Sequence, residues 1–457
     1  MRFWPLLMKN AMIHSMPVLD PAEPRTCAHF GVCGGCSCVI SPEGKASPLP
    51  YAKELLGKEE RVRHLLNGFD ISLWKPILSS PDPWYYRNKM EFAFAPEPSP
   101  ALRAPSPRGR GQTHEEPCLL PLGEEGGGRP DEGVVLGLRE KGRFDRIVDL
   151  ETCLLMSPEA EDLIHRVRAW AKRHQLSGYD RHCHRGQLRY LVVREGKNTG
   201  QRMVLLITSA SPGLRPPSPD GRGAGGEALP LEDLRKTIEP LVTTAWMGIA
   251  DSISDVARTR TMTLLWGPGY LEERLGDLQF RVSPYSFFQT NTRGTERLYG
   301  LLTDWARGSS GALLDLYCGS GGITLSLARS FDRVLGIDSN REAIEDAVFN
   351  AQRNNLNNTE FITGDAIDFM SKLPASKVAV QLSAVVVDPP RPGLHPKALK
   401  ALVELNPPRL AYVSCNPESL ARDLTTLVPF YKIQSVQPVD LFPHTPHVET
   451  VCLMEHR

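Results

Sequence analysis

Leu313-Leu314-Asp315-Leu316-Tyr317-Cys318-Gly319-Ser320-Gly321-Gly322-Ile323-Thr324 decides the fold class. An apolar run ending at Tyr317 reads as a buried strand, the glycines as a turn, and Ile323 onward as a helix. Glycines at the carboxyl end of a strand let the backbone approach a ligand, and open α/β sheets bind cofactors there. Downstream, strand-like runs end at Asp338, at Asp365 and at Asp388, each followed by a helical pattern or a turn. This alternation predicts a doubly wound, Rossmann-like parallel sheet. Asp338 is placed to accept hydrogen bonds from a ribose diol. The acid ahead of the glycines and the turn Asp388-Pro389-Pro390-Arg391 favour S-adenosylmethionine over a dinucleotide, and methyl transfer to a planar amide or base.

A fifth strand over residues 409–413 delivers Cys415 to the turn Ser414-Cys415-Asn416-Pro417. A thiol at a strand terminus has a fixed backbone and a sulfur that reaches solvent, which suits a nucleophile. A free cysteine is also a small hydrophobe that packs well in a core, the reading that fits Cys318 and Cys452.

The 457 residues imply two or three domains. Hydrophobic residues make up 41% and charged ones 23%, a soluble globular composition. Lys+Arg and Asp+Glu both total 53, so a polyanionic partner requires locally clustered cations. No apolar run is long enough for a transmembrane helix, and the apolar patch at residues 3–8 lacks the features of a signal peptide. A cytoplasmic location, no membrane partner and a monomer are expected.

Cys27, Cys33, Cys36 and Cys38 crowd into twelve residues. The C-x5-C-x2-C spacing fits zinc patterns poorly; an iron–sulfur cluster requires a fourth thiolate from elsewhere, with Cys153, Cys118 and Cys183 as candidates. Residues 51–67 predict an amphipathic helix with Leu55, Leu56, Val62, Leu65 and Leu66 on one face. Trp84-Tyr85-Tyr86-Arg87-Asn88-Lys89 and the alternation after it read either as a nucleic-acid stacking surface or as an edge strand. Residues 95–133 and 210–228 are Pro/Gly/Arg-rich insertions sharing a repeat, LRAPSPRGRG at 102–111 and LRPPSPDGRG at 214–223, and neither can bury a core. Cys118 falls inside the first. The organisation expected is an N-terminal segment (1–74), a β-rich RNA-binding domain (75–280) and the cofactor-binding domain (281–457).

Five motifs together make the chain resemble the RNA uracil-5-methyltransferase family: Phe287-Phe288-Gln289-Thr290-Asn291, the glycine turn at 315–322, Asp388-Pro389-Pro390-Arg391, Ser414-Cys415-Asn416-Pro417, and Phe442-Pro443-His444-Thr445-Pro446-His447-Val448-Glu449. The resemblance covers nearly everything outside the insertions. It implies Cys415 as nucleophile and Glu449 as general base. Gln289, Tyr317, Gly322, Asp338 and Asp388 become contacts to S-adenosylmethionine or the reacting base. It also implies a 4Fe–4S cluster on Cys27, Cys33, Cys36 and Cys153. Asn or Thr is common in the family where Gly322 stands here, and the residues before Cys27 leave no room for the small N-terminal RNA-binding barrel of some members. The expected product is 5-methyluridine in RNA. The target favoured is 23S rRNA, on the Arg87-Asn88-Lys89 stretch and the N-terminal cysteines, with tRNA the alternative. A non-catalytic RNA-binding protein on a methyltransferase fold, the remaining rival, has no need of both Cys415 and Glu449.

Overall fold

The computed structural model describes residues 27–36, 39–40, 46–47, 50–97, 133–143, 145–209, 229–250, 256–259, 261–372 and 382–457. Residues 3–8, Cys38, Cys118, the 210–228 insertion and all but the ends of the 95–133 insertion lie outside the described residues.

The larger sheet has eight strands: β1 (Ile71–Trp74), β2 (Ala312–Leu316), β3 (Arg333–Asp338), β4 (Thr359–Thr363), β5 (Leu382–Val387), β6 (Arg409–Ser414), β7 (Tyr431–Val439) and β8 (Glu449–His456). Their spatial order is β4-β3-β2-β5-β6-β8-β7-β1. Strands β4 to β6 run parallel, β8 is antiparallel to both β6 and β7, and β1 lies parallel to β7. The parallel strands are apolar almost throughout because both faces are covered. Val385, Val387, Leu410 and Tyr412 point to one core with Leu399, Leu402, Leu420 and Leu424 of the helices Pro396–Leu405 and Pro417–Leu427. Ala384, Val386, Ala411 and Val413 point to the other. There they meet Leu298 and Leu302 of the helix Thr292–Ala306 and Phe280 of the hairpin Leu271–Leu275/Leu278–Val282. The chain winds outward from β2 to β4, then returns to β5 on the other side of β2. That reversal opens a crevice at the carboxyl ends of β2 and β5.

A seven-stranded sheet, in the order Thr261–Trp266, Thr244–Ala250, Arg202–Ser209, Leu188–Glu195, Lys89–Pro96, Val134–Arg139, Ile147–Asp149, packs under the helix Pro158–Arg173. The hairpin expected across the first insertion forms, pairing Ala93 with Gly137 and Pro96 with Val134. Lys89–Pro96 lies inside this sheet, not at its edge. Nor do the residues before it offer a stacking surface, since Trp84, Tyr86 and Asn88 are buried. Their polar atoms turn inward instead: Tyr86 Oη donates to the Pro443 carbonyl at 2.9 Å, and Asn88 Nδ2 to the Gln289 carbonyl at 2.8 Å and Thr292 Oγ1 at 3.0 Å. The stretch is a seam between the two sheets.

The helix Tyr51–Leu65 covers one edge of the larger sheet, with Val62 and Leu66 buried, but Leu56 stands 60% exposed. The inward stripe runs through Lys58 instead, at helical spacing from Val62. Lys58 is internal because it neutralises Asp440, fully buried in the loop between β7 and β8; Nζ donates to Asp440 Oδ1 at 2.8 Å and to the Phe442 carbonyl at 3.0 Å, and Tyr51 Oη donates to Asp440 Oδ2 at 2.8 Å. Removing one partner of a buried pair strands the other charge. Lys58→Met is expected to destabilise the fold by about 3–5 kcal/mol, read as a lower urea midpoint.

Candidate active site

β2 is buried throughout, Asp315 included, and ends at Leu316; Tyr317 follows with φ at 68°, a left-handed conformation that bulky residues rarely adopt. Two hydrogen bonds hold it there, the Tyr317 and Cys318 amides donating to the Ile337 carbonyl at 2.9 and 3.0 Å. Gly319 and Gly321 also take positive φ, at 54° and 87°, so the turn bends tightly before the helix Gly322–Leu327. Gly319 N donates to Asp338 Oδ2 at 3.0 Å and Asn340 N to Oδ1 at 2.8 Å, which fixes the carboxylate beside the glycine turn. A carboxylate has lone pairs left over from two such bonds, and a ribose diol suits them. Gly322, the first residue of that helix, is buried against the ring of Tyr299.

On the far side of β2, Asp388 follows β5. Gln289 Nε2 donates to its Oδ2 at 3.2 Å, and Asn88 holds the Gln289 backbone from below. Burial pushes the Asp388 carboxyl up to about 7, against the hydrogen bond from Gln289. Asp315 is likewise raised to about 7 by burial; Thr324 Oγ1 donates to its Oδ2 at 2.5 Å, while Oδ1 has no hydrogen-bond partner among the described residues.

Cys415 and Glu449 meet through sheet register. The antiparallel ladder of β6 and β8 ends at Ser414 opposite Thr450, so the next residues across it are Cys415 and Glu449. Cys415 leaves the strand at once because Asn416 caps the helix Pro417–Leu427, its side chain accepting from Glu418 N at 3.3 Å with proline at the first helical position. Cys415 therefore keeps some exposure, whereas Glu449 is buried with Oε2 unpartnered among the described residues. Burial first, then the Asp388 charge, holds Glu449 well above the usual carboxylate range, and Arg391 opposes them. Burial, then Glu449 and Asp388, push the Cys415 thiol up to about 12 against the pull of Arg391. Arg391 Nη2 lies 2.9 Å from His447 Nδ1, and its carbonyl accepts from Asn416 Nδ2 at 3.1 Å, tying the Asp-Pro-Pro-Arg turn to both sides of Cys415. Burial and the nearby Arg391, Arg87, Lys58 and Arg61 charges lower the His447 pKa, so its neutral ring accepts from Arg391. The sequence reading assigned His447 no part, and only its place two residues before Glu449 hinted at one.

Cys27, Cys33, Cys36 and Cys153 line one partly open cavity with Phe30, Trp84, Leu150 and Leu155. Burial raises the Cys153 thiol to about 11, and the neighbouring Cys33 and Cys27 add to the shift. Among the described residues no three His, Cys, Asp or Glu side chains are already gathered as a metal-binding group. Cys183 lies elsewhere, in the turn bridged by Asp180 and Arg185.

Residues 249–457 match the family model described as tRNA (Uracil-5-)-methyltransferase. An RNA methyltransferase of Clostridium tetani is 34% identical over 450 residues, spanning 97% of this chain and 86% of that protein. The chain belongs to the RNA uracil-5-methyltransferase family. An RNA methyltransferase of Chlorobaculum tepidum is also 34% identical, over 95% of this chain and 83% of its own length. The crystal structure of Pyrococcus abyssi tRNA (uracil-54, C5)-methyltransferase in complex with S-adenosyl-L-homocysteine superposes with a TM-score of 0.65 at 28% identity, covering 89% of this chain and 84% of that one. The protein is thus an S-adenosylmethionine-dependent RNA (uracil-C5)-methyltransferase. Among the described residues no helix is long and apolar enough to cross a membrane.

In a methyltransferase with no ligand bound, Cys415 should be a slow thiol. Its thiolate fraction at pH 8 is far below that of an exposed cysteine, and greater intrinsic nucleophilicity recovers only part of the loss, so alkylation of Cys415 should be roughly fiftyfold slower. The rate should climb with pH towards about 12, and Glu449→Gln should raise it several-fold by removing a negative neighbour. Peptide-resolved mass spectrometry of iodoacetamide-treated protein measures both.

Proposed function

We propose that the protein makes 5-methyluridine in RNA through a covalent adduct between Cys415 and C6 of the target uracil. The observation that carries this reading is the β6/β8 register, which sets a thiol and a buried carboxylate side by side at the carboxyl edge of the sheet. Uracil C5 is a weak nucleophile, and activating it is the role of the thiol. The Cys415 thiolate adds to C6, breaking the C5–C6 π bond and placing the electron pair in an enolate over C5 and O4. When bound, S-adenosylmethionine would supply the methyl group as an electrophilic sulfonium: C5 takes the methyl as the S–CH3 bond breaks, the bonding pair stays on sulfur, and neutral-sulfur S-adenosylhomocysteine is the leaving group. Glu449 then removes the C5 proton; the electron pair re-forms the C5–C6 double bond and expels the Cys415 thiolate. A carboxylate whose pKa is raised is a stronger base once ionised, which suits Glu449 to this step.

The glycine turn fits the cofactor: Tyr317, Gly322 and Asp338 would hold it on the β2/β3 side, and Gln289 and Asp388 on the side facing the uracil. Both faces of the base must be reached, so the nucleotide leaves its stack, and Arg391, Arg87 and Arg61 supply cations for the flanking phosphates. The target proposed is 23S rRNA. A tRNA is the second reading, supported by the likeness to the P. abyssi tRNA enzyme. RNA labelled with tritium at uridine C5 should release it with wild-type protein. Cys415→Ala should form no adduct, while Glu449→Gln should trap protein on RNA, visible as a retarded band on denaturing gels. S-adenosylhomocysteine formation without tritium release would sink the reading. Mapping 5-methyluridine in 23S rRNA and tRNA from cells with and without the protein decides between the two targets.

The four-thiol cavity also fits a cluster. Its walls are largely apolar, and the Cys153 thiol, raised by burial and then by Cys33 and Cys27, favours thiolate only with a cation beside it. Cys27, Cys33, Cys36 and Cys153 would hold a 4Fe–4S cluster, whose chemistry there is to crosslink the N-terminal segment to the loop after Ile147–Asp149. Anaerobically purified protein should carry about four irons per chain and absorb in the blue, both lost in Cys153→Ala; stoichiometric zinc without iron would refute the assignment.

A further inference from the structure

Gly322 opens the helix after the glycine turn and presents no side chain to the crevice. The space is already filled. A Cβ built on Gly322 would lie 2.4 Å from the hydroxyl oxygen of Tyr299 and 3.1 Å from two of its ring carbons. Tyr299 reaches across from the helix Thr292–Ala306, two turns beyond the cap at Asn291, and only 8% of its surface is exposed. Its backbone carbonyl accepts from Thr303 Oγ1 at 2.9 Å, but among the described residues its hydroxyl has no hydrogen-bond partner. Burial and the charges of Asp388, Asp315 and Glu449 hold the phenol protonated, far above its usual range, so it is a neutral donor among carboxylates. The hydroxyl is not sealed from solvent, so a ligand lying beside Gly322 can accept from it in place of water.

The layout says which ligand atoms lie there. The ribose belongs at Asp338, on the β3 side, and the methyl group must face the uracil beside Cys415 and Asp388. The amino-acid end of the cofactor then falls between β2 and β5, over Gly322. Its ammonium has Asp315 and Asp388 to pair with, which leaves its carboxylate needing a neutral donor. We propose that Tyr299 is a cofactor-binding residue whose hydroxyl donates to the carboxylate of the amino-acid moiety of S-adenosylmethionine, reaching the cofactor from a neighbouring helix across the space that Gly322 leaves open.

The proposal rests on the cofactor placement given under Proposed function, and equilibrium binding separates the two. Calorimetry with S-adenosylhomocysteine and with 5′-methylthioadenosine, which lacks the amino-acid moiety, reads the contact without turnover or RNA. Tyr299→Phe should bind S-adenosylhomocysteine about tenfold more weakly and 5′-methylthioadenosine as tightly as wild type. Gly322→Ala should weaken S-adenosylhomocysteine at least tenfold alone, yet no more than about threefold in the Tyr299→Phe background, because the obstructing oxygen is gone. Equal weakening of both ligands, S-adenosylhomocysteine affinity within twofold of wild type, or additive effects of the two substitutions would each overturn it. So would a fall in the melting midpoint of ligand-free Tyr299→Phe large enough to account for the affinity loss. Failure of wild-type protein to bind S-adenosylhomocysteine at all would instead overturn the cofactor placement.

Discussion

The pairing of β6 with β8 is the constraint on which the site depends. Six residue pairs, Arg409 with Glu455 through Ser414 with Thr450, set which atoms face each other at the carboxyl edge. Side chains alternate between faces, so a slip of one residue would send Glu449 to the wrong side of the sheet and bring Thr450 or Val448 opposite Cys415. The register is protected by burial on both faces, with Tyr412 and Cys452 in one core and Val413 and Val451 in the other. It is protected a second time from the loop. Asp440 anchors the start of the β7–β8 connection to Lys58 and Tyr51, so a helix near the beginning of the chain helps to fix a carboxylate near its end.

Electrostatically the site is unfinished. Asp315, Asp388 and Glu449 share one poorly solvated crevice with a thiol, and each is pushed towards its protonated form. Arg391 is the cation that acts on both Cys415 and Glu449. A unit positive charge about 5 Å away is worth on the order of 3 kcal/mol at an effective dielectric constant near 20. A sulfonium arriving in the crevice therefore favours the thiolate and the carboxylates together, and linkage makes the effect reciprocal. On the mechanism proposed above, the thiol is slow alone and faster beside its methyl donor, which spares it adventitious alkylation.

Much of this was legible in the chain. The glycine turn, the acids at successive strand ends and the alternation of strands with helices are local signals, and the sheet follows from them. The pairing of Cys415 with Glu449 is not local. Between them lie 33 residues containing a helix, a strand and a loop, and only the motif resemblance tied them together before the β6/β8 register did. Trp84 to Lys89 misled because aromatic and basic side chains look alike whether they meet a base or a neighbouring loop; what decides is whether their polar atoms find buried partners, as Tyr86 and Asn88 do. Leu56 was expected on the inner face that Lys58 takes, since no periodicity rule places a lysine there unless its counter-charge is known. Tyr299 escaped notice because its meaning lies in a contact with a glycine 23 residues away.

The cysteine cavity and the edge that carries Cys415 and Glu449 are physically continuous, and Trp84 is the link. One side of its indole lines the cavity with Cys27, Cys33, Cys36 and Cys153. It also stacks on His444, with ring centroids 3.5 Å apart and planes 14° from parallel. His444 sits at φ 61° in the loop that leads to Glu449, and its Nδ1 lies 3.4 Å from Glu54 of the helix that also carries Lys58. A residue in the left-handed region persists only when its surroundings over-determine it. The indole stack and the Glu54 contact do so here, so the loop that delivers Glu449 is braced on one side by the wall of the thiol cavity and on the other by the first long helix.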